Sequence, residues 1–251
     1  YKIVAMDLTT AEVYCAAVLA NDKNLMKVFQ DGGNFHSTIA KQVFNLPGNV
    51  EDIAENFSVE RQQAKAVTFG IMYGAGPWKI SEQVTKDSGE YFSPEAAKDV
   101  IADYFKSFKG LKKWLDGTQA YIKEHAEIYS FFGRKRRLPN AHSRDKQVAS
   151  HEIRSGVNAL VQSVSSDLNL FGGIDMQKYI RETGMDAKIF ALVHDSILAE
   201  VKEEDVELYC EKLQEMIQKE RGLMIPGTPV GCDFEIDEDY SMGKFKKHYG
   251  L

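Results

Sequence analysis

Two aspartates, each at the end of an apolar run, are the first groups in this chain that could do chemistry. Asp7 follows "YKIVAM", and Asp195 sits inside "KIFALVHDSILAEV". Carboxylates brought together on adjacent strands can bridge two divalent cations. Such a pair stabilises both the entering and the leaving oxygen of a phosphoryl transfer. Without cations the two charges would repel by about 4 kcal/mol at 4 Å and an effective dielectric of 20. Between them in sequence lies "RQQAKAVTFGIMYG", where Arg61, Lys65, Phe69 and Tyr73 recur at every fourth position. On a helix these four drift by only about 120° and form a stripe about 18 Å long. Arg can fork onto a polyphosphate and Lys can act as a point charge. An aromatic further along can lie on a sugar or a base. The length suits a nucleoside triphosphate. The same stripe also fits an amphipathic helix whose aromatics enter a core, while Ala64, Val67 and Ile71 form a second face suited to packing.

Other elements must position these groups. Tyr1–Met6 reads as a buried strand ending at Asp7. "TTAEVYCAAVLA" reads as a helix capped by Thr9 or Thr10. Helical patterns recur near 22–30, 35–44, 58–73, 77–85, 94–107 and 109–125, with Gly32-Gly33, "LPGN", "GAGP" and Ser88-Gly89 between them. Ser58 is the expected cap of the striped helix, Gly74 its stop, and Pro77 the start of the next. "IYSFFGRKRRLP" reads as a basic hairpin, and a long helix follows at about 144–180. Apolar β-type runs on either side of His194-Asp195 read as a second hairpin. Residues 203–220 read as a helix and "PVGCDFEID" as a last strand. Strands at both ends with helices between them predict a strand-and-helix platform carrying a helical subdomain.

The bulk numbers set limits. The chain has 251 residues, 43% hydrophobic and 27% charged, enough for one large domain or two joined ones. No apolar run is long enough for a transmembrane helix, and no signal-peptide pattern opens the sequence. Cys15, Cys210 and Cys232 are widely spaced, so C-x-x-C metal sites are absent and reduced thiols are expected. The net charge of −6 argues against a purely electrostatic nucleic-acid binder, yet "GRKRRLP" gathers four cations at Arg134–Arg137. The opening on Tyr1 and a buried strand suggests a fragment, a processed chain or half of a split protein.

R-x-x-x-K-x-x-x-F-G-x-x-Y-G resembles the fingers-helix motif of family A DNA polymerases, the group of bacterial DNA polymerase I. Asp7 and Glu12 stand at the offsets of that family's D-Y-S-Q-I-E pattern. Val193-His194-Asp195-Ser196 resembles its V-H-D-E, with serine in place of the usual glutamate. Single-subunit phage-type RNA polymerases carry H-D-S at this point, which keeps an RNA polymerase-like enzyme as an alternative. Phe69-Gly70 and Glu12 favour the DNA enzyme. "RSGVNALVQ" places Arg154, Asn158 and Gln162 on one helix face and resembles R-x-x-x-N-x-x-x-Q. "GRKRRLP" resembles G-R-R-x-x-x-P.

The resemblance implies an α+β right-hand polymerase architecture. An antiparallel palm at 1–30 and 131–251 would carry mostly helical fingers at 31–130, with thumb and exonuclease absent from this chain. It implies template-directed addition of deoxynucleotides to a primer 3′-hydroxyl in replication or repair. Asp7, Asp195 and the Leu8 carbonyl would hold two Mg²⁺ ions, with Mn²⁺ as a substitute. Lys65 would join Asp7 and Asp195 in catalysis. Arg61, Lys65, Phe69, Tyr73, Glu12 (the gate against a 2′-hydroxyl) and His36 would bind the nucleotide. Arg154, Asn158, Gln162, His194, Arg134 and Arg136 would bind DNA. The implied partners are primer–template DNA, deoxynucleoside triphosphates and an upstream thumb and exonuclease polypeptide in the same or a separate chain. A half-enzyme that is inactive without that polypeptide is the other alternative. The implied location is the cytoplasm of a bacterium or a phage-infected host, with an organelle left open. "DFEID" reads as an acidic strand end.

Overall fold

The computed structural model describes residues 1–32 and 34–240. The elements run β1 (Lys2–Thr9), α1 (Ala11–Leu19), α2 (Lys23–Gln30), α3 (Phe35–Phe44), α4 (Ile53–Asn56), α5 (Ser58–Met72), α6 (Pro77–Ser88), α7 (Pro94–Ser107) and α8 (Lys109–His125). They continue with β2 (Glu127–Tyr129), β3 (Lys135–Arg137), α9 (Lys146–Thr183), β4 (Ala187–Val193), β5 (Ser196–Val201), α10 (Val206–Ile217) and β6 (Gly231–Asp237). The chain divides into two compact units. One is Tyr1–Ala11 with the described part of Ser163–Leu251, and the other is Glu12–Gln162.

The first unit is built on a four-stranded antiparallel sheet in the order β4-β5-β1-β6. β1 is paired on both edges, and its run from Val4 to Met6 is buried almost without interruption, as a central strand demands. On β5, Ile197, Leu198, Ala199 and Val201 are buried. The second part of α9 and α10 supply the covering apolar side chains, among them Val164, Leu168, Tyr209, Leu213 and Ile217. The two helices approach closely at Gly172, where a Cβ would lie 2.2 Å from Ile217 Cδ1. Asn169 of α9 donates from Nδ2 to the Ser196 carbonyl, tying that helix to the start of β5.

The second unit is helical apart from the β2–β3 hairpin. Asp22, itself buried, caps two of its helices at once: Oδ1 accepts from Leu25 N at 3.0 Å and Oδ2 from Leu111 N at 2.8 Å. α5 packs through Ala64, Val67 and Ile71, the face expected from the sequence, and also through Thr68 and Met72. Gly70 allows α6 to come near, since a Cβ there would sit 2.6 Å from Ile80.

Most elements fall where periodicity placed them, with corrections at the ends. β1 runs on to Thr9 because β6 keeps pairing past Asp7, while the pairing with β5 ends at Asp7. Ser58 is the first helical residue rather than the cap; Phe57 holds that position and no side chain bonds the helix start. Thr10 precedes α1 at φ 50, and its hydroxyl donates to the Thr9 carbonyl. The helix expected at 203–220 opens with a 3₁₀ turn at Glu203–Asp205 and ends at Ile217. The short α4 had no clear signal. The closing segment of the family resemblance lies, from residue 241, outside the described residues.

Candidate active site

The two carboxylates of the sheet unit are brought to one end of adjacent strands. Asp7 lies on β1 opposite Ser196 of β5, and its Oδ1 accepts a hydrogen bond from Ser196 Oγ. Asp195 is the second residue of the two-residue turn joining β4 to β5, and Leu8 N donates to its carbonyl at 3.3 Å. The first turn residue, His194, has φ 55. This left-handed value is uncommon for a residue with a Cβ, and strain of this kind clusters at functional sites. His194 and Asp195 are exposed. On its other side Asp7 faces Asp233 of β6. Directly opposed residues share a face of the sheet, so a third acid of "DFEID" belongs to this end of the sheet. Sequence alone did not show that, because the register of β6 is not written in its own residues. Among the described residues no three acids, histidines or cysteines are gathered into a ready cage. The donors on offer at Asp7 and Asp195 are hard oxygens, few in number. That suits Mg²⁺, which keeps waters and phosphate oxygens in its shell and takes one or two carboxylates.

In the helical unit, α5 carries Arg61, Lys65, Phe69 and Tyr73 along one stripe. Lys65 and Tyr73 are exposed, while Arg61 and Phe69 are half-buried. Lys65, Phe69 and Tyr73 line a groove of about 580 Å³ between α5 and α6, with Gly70, Lys79 and Gln83. That volume lies within the usual range for a small-ligand site. Tyr73 Oη donates to the Glu12 carboxylate, at 2.8 Å from one oxygen and 2.7 Å from the other. The end of the stripe is closed by a Schellman motif: Ala75 N donates to Gly70 O at 2.7 Å and Gly74 N to Ile71 O at 3.0 Å. Gly74 has φ 66, and a Cβ there would meet the Arg154 side chain at 2.8 Å. The residue must be glycine on both counts.

Arg61 is tied to the start of α3, donating from Nε to Ser37 Oγ and from Nη2 to Asn34 Oδ1, both at 3.2 Å. His36 lies on Phe69, with ring centroids 5.6 Å apart, and against Phe35 at 5.3 Å. Its Nδ1 is buried with no hydrogen-bond partner. Burial, then the charges of Lys65 and Arg61, push the imidazole down to about 4. The folded chain therefore keeps His36 neutral where an unfolded chain protonates it. Stability is expected to fall by about 1–2 kcal/mol, after allowance for solvent screening, as pH drops from 6.5 to 4. His36→Gln should flatten that part of a thermal-unfolding pH profile. An unchanged slope would show that His36 is not the group responsible.

Arg154, Asn158 and Gln162 are spaced along one face of α9, and Arg154 Nη1 donates to Ser150 Oγ. Arg134 and Arg136 are exposed on the basic hairpin, where Arg136 Nη2 donates to Ser155 Oγ at 2.9 Å.

A four-stranded antiparallel sheet with aspartates at one end, and a helical unit with a cation–aromatic groove, define a polymerase palm-and-fingers type of fold. A solved structure described as the POL domain of Pol1 from M. smegmatis in complex with DNA primer-template and dNTP matches with a TM-score of 0.83 and 22% identity, over 97% of this chain and 41% of that one. In sequence, residues 1–241 match the model of DNA polymerase family A, and the chain belongs to that family. It is 45% identical to the DNA polymerase of Escherichia phage T5 over 99% of this chain and 32% of that protein. It is 28% identical to DNA polymerase I of Pseudomonas aeruginosa over 90% of this chain and 24% of that protein. The chain thus spans about a third or less of the length of these curated relatives. Among the described residues no helix is long and apolar enough to cross a membrane.

Proposed function

We propose that this chain is the palm-and-fingers part of a DNA-directed DNA polymerase, adding deoxynucleotides to a primer on a DNA template. The observation that carries the reading is the α5 groove, in which Lys65, Phe69 and Tyr73 present a cation and two flat rings in order, Tyr73 being held by its hydrogen bond to Glu12. The sheet unit serves as palm and the helical unit as fingers. The functional limits 1–30, 31–130 and 131–251 are part of the proposal, while the compact units divide after Ala11 and Gln162. Primer–template DNA and a dNTP, named for the M. smegmatis structure, are the ligands the reading brings to this chain.

Asp7 and Asp195, with the Leu8 carbonyl, would hold the divalent cations, and the hardness of these oxygens suits Mg²⁺. When bound, such cations supply charge stabilisation at the entering and leaving oxygens. Lys65 Nζ neutralises charge on the triphosphate and can pass a proton to the departing pyrophosphate. Arg61 grips phosphate by its fork, positioned by Asn34 and Ser37. Phe69 lies on the sugar, His36 backs that ring near the phosphates, and Tyr73 stands at the template-base side. Arg154, Asn158 and Gln162 read minor-groove acceptors shared by all base pairs, His194 meets the primer end, and Arg134 and Arg136 hold backbone phosphates.

Primer extension tests this reading. Template-directed incorporation is expected with deoxynucleotides far above ribonucleotides, in a Mg²⁺- or Mn²⁺-dependent manner. The assay is run on this chain alone and with an upstream polypeptide such as the rest of a T5-type polymerase. Incorporation only with the added polypeptide marks a half-enzyme. Preference for ribonucleotides would support the RNA polymerase alternative that Ser196 raises. No templated incorporation in either setting would sink the proposal.

A further inference from the structure

The β2–β3 hairpin carries more than positive charge. Its register sorts the strands into two faces: Glu127 opposes Arg137 and Tyr129 opposes Lys135, while Ile128 opposes Arg136. The Ile128 face turns inward, for Ile128 is buried and Arg136 is held by Ser155. The other face stays in solvent with Tyr129, Lys135 and Arg137. Glu127, the acid on it, is neutralised by Lys135 at 2.5 Å. Lys135 Nζ also lies 5.4 Å from the centre of the Tyr129 ring. At the tip, Gly133 N donates to Ser130 O at 2.9 Å, Ser130 N donates to Arg134 O at 2.8 Å, and Gly133 takes φ 84. This tight turn closed by a left-handed glycine puts Phe131 and Phe132 at its head. Phe131 and Tyr129 are each 47% exposed. Water-facing aromatics on a four-cation hairpin, in a chain of net charge −6, add little to a core.

We propose that this hairpin face is a platform for an unpaired DNA strand, with Phe131 and Tyr129 stacking on bases while Arg137 holds phosphate and Lys135 stays paired with Glu127. Every base has a π-face, so such a platform is indifferent to sequence. A duplex keeps those faces stacked on one another, so the aromatics distinguish single from double strands while the cations do not. The inference rests on the polymerase reading for the identity of the nucleic acid as DNA.

The test uses the full chain, fluorescent oligo(dT) and a blunt duplex of equal length. Phe131→Ala is expected to weaken oligo(dT) binding roughly 5- to 100-fold, with duplex binding unchanged. Phe131→Leu, which keeps the bulk but not the ring, should behave as alanine does. Phe131→Trp should restore affinity and show fluorescence quenched by oligo(dT). Equal losses on both DNAs, or none on either, would overturn the proposal, as would full binding by the leucine variant. Extension of a primer with a one-nucleotide overhang should persist in every variant. Its absence in the unmodified chain would instead count against the polymerase reading.

Discussion

Replacing Asp195 by alanine is expected to abolish nucleotide incorporation, by roughly 10³-fold or more, while DNA binding stays largely intact. The size follows from what the carboxylate is asked to do. Phosphoryl transfer leaves little covalent work for the protein, so most of the rate comes from positioning and from charge set against the transferring group. On the proposed reading, removing one of the two carboxylates takes away a large part of both. The fold should hardly notice. Asp195 is exposed in a turn, and its structural contact is made by its backbone carbonyl to Leu8 N. An exposed substitution away from caps and cores usually changes stability by no more than about 0.5 kcal/mol. Asp195→Asn keeps the shape and removes the charge, and it should fail as alanine does. Mn²⁺ binding followed by electron paramagnetic resonance gives a readout independent of turnover and should weaken in both variants. Persisting incorporation with unchanged Mn²⁺ binding would remove Asp195 from the metal site.

Asp7 and Asp195 were paired through the family resemblance of their motifs, on either side of the α5 stripe; the apolar runs around them showed only a strand and a hairpin. His194-Asp195 was recognisable as a turn because it interrupts two β-type stretches. The α5 stripe was legible because its groups sit on one short helix, where spacing alone sets the face. What depends on tertiary register was not legible. Asp233 comes opposite Asp7 only once β6 has paired with β1. Arg61 reaches Asn34 and Ser37 across a helix pair, and Asp22 caps α8 from 89 positions away. Helix ends were misplaced where local chemistry promised a cap that packing did not use, as at Ser58. The hairpin was anticipated as basic, but its division into an anchored face and an open aromatic face needed the residue pairing.

The bond between Tyr73 and Glu12 leads to the other large effect, a change in sugar selectivity. Glu12 is half-buried near the start of α1, and both its oxygens face the Tyr73 hydroxyl. A carboxylate pinned in this way cannot swing aside to admit an extra hydroxyl on an incoming sugar, nor can it readily reorient to accept its hydrogen bond. Forcing a polar group into a space without a proper partner costs about 1–3 kcal/mol. Glu12→Ala should therefore raise ribonucleotide incorporation relative to deoxynucleotide by roughly 5- to 150-fold. Glu12→Gln keeps the volume and one acceptor for Tyr73, so it should retain most of the discrimination. Tyr73→Phe leaves the carboxylate in place but frees it to move, and an intermediate loss is expected. The order alanine, then phenylalanine, then glutamine is the signature of a braced steric gate. It can be read from the ratio of kcat/KM for the two nucleotide classes in single-nucleotide extension. If Glu12→Gln relaxed selectivity as fully as Glu12→Ala, charge rather than bulk would be the discriminating feature. If Tyr73→Phe had no effect, the hydrogen bond would not be what holds the gate.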